Sequence, residues 1–123
     1  MKSLSLLLLL TLTITSCNTT NKSIDTKNNT EQEMDSKKMI ANGYLAGKIS
    51  ISTEEGDCPT TILIEGKNGA YYYDPINLSE DFNKDGAYDN DGEKVWIKFS
   101  GLRRMNRCDK ASPIHLNEIV KNN

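Results

Sequence analysis

Histidine is almost absent from this chain: His115 is the only one among 123 residues. That excludes a histidine-rich metal set, and any nucleophile–histidine relay would have to use His115 itself. There is no Gly-x-Ser-x-Gly elbow and no phosphate-binding glycine loop. No basic excess exists either: beyond residue 39 the chain carries ten cations and thirteen acids, which argues against a nucleic-acid partner. The longest apolar run, residues 4–12, is far short of the ~20 residues that span a bilayer. Carboxylates are plentiful, but their spatial pairing is not a property of sequence. These absences weigh against an enzyme.

What is present begins at the first residues. Met1-Lys2 leads into the leucine-rich run, followed by Ile14-Thr15-Ser16-Cys17. One cation, a short apolar core and small residues predict a cleaved secretory signal peptide over residues 1–16. The ending resembles the lipobox of bacterial lipoproteins. That resemblance implies that Cys17 is acylated and becomes the mature N-terminus. Asn18 stands where an aspartate would signal inner-membrane retention, so the resemblance leans toward the outer membrane. A lipid anchor buries many methylenes at ~0.8 kcal/mol each, which makes attachment stable.

Residues 18–38 are rich in Asn, Thr, Lys, Ser and Glu, with Ile24 and Met34 as their apolar side chains. Such a stretch buries too little surface to offset chain entropy, so a disordered tether is expected over 17–38. Its reach is ~25 Å for a flexible chain of this length. A short helix near residues 30–39 is the alternative for its last part. The folded domain is then 39–123, a size at which one core is marginal and a staple is expected. With Cys17 assigned to lipid, Cys58 and Cys108 form an even pair in an oxidising compartment, favouring a disulfide. Free or metal-binding thiols are the rival, but they need ligand partners that are not visible nearby.

The periodicity of the domain is that of strands. Leu45, Ile49 and Ile51 share one face with Gly47 between them. Residues 60–65 are β-branched and apolar, and Asn68-Gly69 is a hairpin signal leading into 70–73. Asp74-Pro75 is expected to stop that third strand. Val95, Ile97 and Phe99 alternate with Trp96 and Lys98. A last strand starts at Ile114 and Leu116, and its pattern slips at Glu118-Ile119-Val120, as a bulge would cause. Leu78 to Phe82 reads as one helical turn, with Ser79 as its cap. Five strands, short turns and one helical turn after the third predict a mostly β fold, a small five-stranded OB-like barrel. A β-sandwich is the alternative.

A second resemblance follows from Cys58, Tyr73-Asp74-Pro75-Ile76-Asn77-Leu78, Phe82, Asp85-Gly86, Val95-x-Ile97-x-Phe99 and Cys108 before Pro113-Ile114. This series is similar to a group of small bacterial envelope lipoproteins, over most of residues 49–119. It implies fold and disulfide, and no activity. The chain departs from that pattern in residues 87–94, a longer connection before Val95.

That longer connection is the one candidate metal site. Asp81, Asn83, Asp85 and Asp89 occupy positions 1, 3, 5 and 9 of a calcium-type loop, with Gly86 at position 6. Position 12, where a bidentate glutamate should close the shell, is Gly92; Glu93 comes one residue late. Position 8 is Tyr88. The alternative is a polar loop built from Asp-Gly turns, and no other cofactor is expected. Arg103, Arg104 and Arg107, with Lys98 and Lys110, form a basic cluster read as a solvated loop or a face toward anionic lipid or a partner. Alternation sends Tyr71 and Tyr73 to one face and Tyr72 to the other, one of them core. The expected function is non-catalytic: a lipid-anchored module that binds an envelope protein or surface component, with calcium dependence through 81–93 as the alternative.

Overall fold

The computed structural model describes residues 32–123. The signal peptide, Cys17 and most of the tether expectation therefore lie outside the described residues. Residues 35–123 form one compact unit.

The first described element departs from the tether expectation. Residues 32–41 are a helix, α1, so the last part of the tether stretch takes the alternative. Its sequence is made of good helix formers, and Glu33 and Lys37 stand at the favourable i,i+4 spacing. Asn42-Gly43 ends it. Gly43 has φ 85°, its N–H bonds to Ile40 O at 2.9 Å, and Tyr44 N–H bonds to Met39 O at 3.1 Å. That pair of bonds is a Schellman motif, which needs the left-handed residue that glycine supplies. The chain is thereby turned into the first strand.

Five strands follow: β1 (Leu45–Ile51), β2 (Thr60–Gly66), β3 (Gly69–Pro75), β4 (Lys94–Gly101) and β5 (Ala111–Lys121). They close into a barrel in the order β1-β2-β3-β5-β4, the arrangement of an OB-like barrel and not of a sandwich. β1 serves both halves. Leu45 to Lys48 pair with β4 and Lys48 to Ile51 with β2. The strand must coil tightly at the handover, and Gly47 stands there: a Cβ on it would come 2.7 Å from Ile62 Cγ2.

Asp74-Pro75 does not stop β3. The strand runs through it because closure pairs it in parallel with β5, Asp74 beside Pro113 and Pro75 beside Ile114. A proline is tolerated where no ladder donor is required of it. β5 also starts at Ala111, three residues before Ile114. The expected slip is a bulge: Lys98 pairs with Glu118 and Phe99 with Leu116, so Asn117 is the extra residue. This shift of phase turns Ile119 inward, where it is buried, and Val120 outward.

The core is aliphatic. Ile49, Ile62, Leu78, Val95, Ile97, Ile114, Leu116 and Ile119 meet inside the barrel, and Tyr88 joins them from the β3–β4 connection. Each such side chain contributes ~1.5–3 kcal/mol when fully buried. Leu78–Phe82 is a single π-type turn, with Asn83 N–H bonded to Leu78 O at 2.9 Å; it places Leu78 over one end of the core. Outside the barrel wall, Trp96 is buried beside a shallow groove of about 280 Å³ that Asp35, Lys38 and Met39 of α1 also line.

Candidate functional site at the disulfide-linked loops

The loop joining β1 to β2 (residues 52–59) and the loop joining β4 to β5 (residues 102–110) are tied together by the Cys58–Cys108 disulfide, with a Cα–Cα distance of 5.5 Å. The expected staple is present. Both half-cystines are buried, and they pack with Ala111 and the ring of Tyr72 in a small cluster of their own. Tyr73 packs against the main core and against Phe99, ring centroids 5.0 Å apart. The tyrosine run thus covers two apolar clusters, and Tyr71 is left half-exposed at the rim.

The second tie of this end is an ion pair. Asp74 is fully buried, and Arg107 approaches it with both prongs, Nε to Oδ2 at 2.7 Å and Nη2 to Oδ1 at 2.6 Å. A buried carboxylate is tolerated only with such a partner, and a bidentate guanidinium satisfies both oxygens. The hydrogen bonds to Asp74 raise the Arg107 pKa further, so its charge is permanent. The sequence groups Arg107 with Arg103 and Arg104 in a cluster that is either a solvated loop or a face toward anionic lipid or a partner; the structure takes it out of that cluster. The signal was weak: an aspartate inside an apolar strand, followed by proline, looks like a strand end.

Asn77 is the other buried polar side chain here. Its Oδ1 accepts from Leu116 N–H at 2.8 Å and its Nδ2 donates to Leu116 O at 3.0 Å, so its amide acts as one more rung beside β5. The same Nδ2 lies 2.8 Å from Asp81 Oδ2 and 3.4 Å from His115 Nε2. His115 itself is exposed. These contacts bind the helical turn to the barrel.

The candidate calcium residues are placed as follows. Asn83 and Asp89 come together, Nδ2 to Oδ1 at 2.6 Å, and Asn83 Oδ1 accepts from Tyr88 N–H at 2.8 Å. Asp81 is turned to Asn77, and Asp85 sits in an exposed turn. Tyr88 points into the core and donates to Ile119 O at 3.2 Å. Asp91 Oδ1 accepts from Ile51 N–H at 2.9 Å, and Gly92 N–H donates to Ile49 O at 2.8 Å. The connection is thus a structured cover on β1. Among the described residues no group of three or more His, Cys, Asp or Glu side chains is assembled as a metal set.

The remaining cations are unequal. Lys98 stands 4.3 Å over the Tyr44 ring and 3.4 Å from Glu118, and Tyr44 OH donates to Glu118. That bond raises the Tyr44 pKa and, with Lys98 adding to it, lowers the Glu118 pKa. Lys110 sits 4.4 Å over the Tyr72 ring. Arg103 and Arg104 are exposed and enter no ion pair among the described residues. Met105 beside them is 90% exposed. What the arrangement offers chemically is a loop tied at both ends, with two available guanidinium groups and a bare thioether at its tip. No protein-family model, curated protein or solved structure matches this chain.

Proposed function

We propose that this chain is a lipid-anchored protein of the bacterial cell envelope, held on the outer membrane through Cys17, and that its barrel is a non-catalytic module binding another envelope protein or surface component. The observation that carries the reading is the Cys58–Cys108 disulfide. Such a bond persists in an oxidising compartment, outside the cytoplasm. It also accounts for two of the three cysteines, leaving Cys17, at the end of the Ile14-Thr15-Ser16-Cys17 segment after the apolar run, for acylation. The anchor itself would then be a cysteine thioether carrying lipid, as the resemblance to a lipobox implies. Binding is favoured over catalysis because the buried polar side chains serve the fold: Asp74 holds Arg107, and Asn77 holds Leu116.

The test is acylation itself. Cells expressing the full chain and its Cys17→Ser variant are labelled with radioactive palmitate and fractionated. The wild-type protein is expected to carry label and sediment with the outer membrane, and the variant to carry none and lose the membrane fraction. Equal labelling of the two would overturn the anchor.

A further inference from the structure

We propose that the tip of the β4–β5 loop is a second membrane contact, in which Arg103 and Arg104 seat on the phosphates of anionic lipid headgroups and Met105 enters between them. This rests on the lipid anchor proposed above, and it adds the surface of the barrel that faces the bilayer.

Three observations point to this tip. The first is composition. Met105 is the most exposed of the large hydrophobic side chains, at 90%, and it directly follows two exposed arginines. An apolar side chain at the apex, flanked by guanidinium groups, suits an interface that is apolar below and anionic at the surface. Arginine pairs bidentately with phosphate. The second is availability. Arg107 is neutralised by Asp74, whereas Arg103 and Arg104 enter no ion pair among the described residues.

The third is anchoring. Leu102 N–H is bonded to Pro113 O at 3.3 Å at one end of the loop. At the other end Arg107 and Cys108 are fixed by the buried Asp74 and by Cys58. Fixing both ends confines where the tip can lie, which lessens the ordering cost of docking.

Magnitude decides what such a contact does. A cation near an anionic leaflet gains about five-fold in surface accumulation, so two gain about 25-fold. The β1–β2 loop joined to this end carries the exposed Glu54 and Glu55, which limits the gain. That is too little to recruit a free protein. It is enough for one tethered at millimolar effective concentration, where even weak sites are occupied. The tip therefore orients the barrel on its own membrane and leaves the opposite surface for a partner.

The experiment uses the full protein purified from bacterial membranes and reconstituted in vesicles of phosphatidylcholine, or of phosphatidylcholine and phosphatidylglycerol in equal parts. Flotation with neutral vesicles reads the anchor. Tryptic cleavage after Arg103 and Arg104, relative to cleavage after Lys67 in the β2–β3 turn, reads the tip. The expected result is flotation with both vesicles, and cleavage at the tip about ten-fold slower on the anionic ones, with the protection lost at high salt. Met105→Asp, at a position where the fold makes no demand, should raise the rate on anionic vesicles to that on neutral ones.

Flotation with equal cleavage on both vesicles would overturn the tip and leave the anchor standing; it would turn the loop toward a protein partner instead. Equal protection on both would also overturn it, since shielding would then owe nothing to charge. Failure to float with neutral vesicles would overturn the anchor and the tip together.

Discussion

Replacing Arg107 with methionine leaves the Asp74 carboxylate in an apolar wall with neither of its two guanidinium hydrogen bonds. Removing one partner of a buried pair costs ~3–5 kcal/mol because the other charge is stranded. Asp74 has a side-chain exposure of 1%, but that of Arg107 is 50%, so water can replace part of the guanidinium. A reduced cost of about 2–3 kcal/mol is therefore expected. For a domain of this size each kcal/mol moves the midpoint by ~4–8 °C, so Arg107→Met should melt ~8–24 °C lower. The companion variants are Asp74→Leu alone and Asp74→Leu with Arg107→Met. The double variant should recover most of the loss, because apolar side chains of similar volume replace a buried pair at little cost. The cycle is measured by urea denaturation followed through Trp96 fluorescence, with the disulfide intact. A loss below about 0.5 kcal/mol for Arg107→Met, the scale of an ordinary surface change, would refute the reasoning; so would a double variant no better than the single ones.

Reducing the Cys58–Cys108 bond opens a separation of 50 residues and should lower stability by about 4 kcal/mol on the chain-entropy account; a Cys58→Ser/Cys108→Ser variant with an unchanged urea midpoint would refute the staple. Gly47→Ala puts a methyl 2.7 Å from Ile62 Cγ2 and should cost ~1–3 kcal/mol by overpacking, with partial recovery when Ile62 is replaced by leucine, which lacks that β-branch methyl; thermal melts of the single and double variants check it. Millimolar calcium should move the melting temperature by less than about 2 °C, because Asp81 and Asn83 are already engaged within the protein and extracellular-type sites bind only at millimolar levels. A larger shift, abolished by Asp85→Ala, would make the 81–93 segment a metal site.

Much of the barrel is legible because a half-buried strand repeats with period two. Ile49 and Ile51 give the inner face of β1, although Leu45 on the same alternation is 47% exposed at the start of the strand, and Val95 and Ile97 mark the inner face of β4. The slip at Glu118-Ile119-Val120 marks the bulge, since one extra residue reverses every side chain beyond it. The loop-end surface was half legible. Arg103 and Arg104 could be read as basic, but not that Arg107 leaves their company. Tyr88 gave no sign that it would fill the core, because a loop residue carries no periodicity. The metal-like spacing of Asp81, Asn83, Asp85 and Asp89 shows how turn chemistry and ligand chemistry use the same residues.

The residue pattern alone was enough for most of the strands, the inner face of β4 and the bulge in β5, and the cysteine count favoured pairing Cys58 with Cys108. These are local periodicities and a count. The tertiary structure alone decided that β3 continues through Asp74-Pro75, that Asp74 is buried against Arg107, that Asn77 bonds to Leu116 and that Tyr88 closes the core. Each of these joins residues some 30 or more positions apart, and only closing the sheet into a barrel brings them within bonding distance. Closure also sets which of the arginines are neutralised and which face outward.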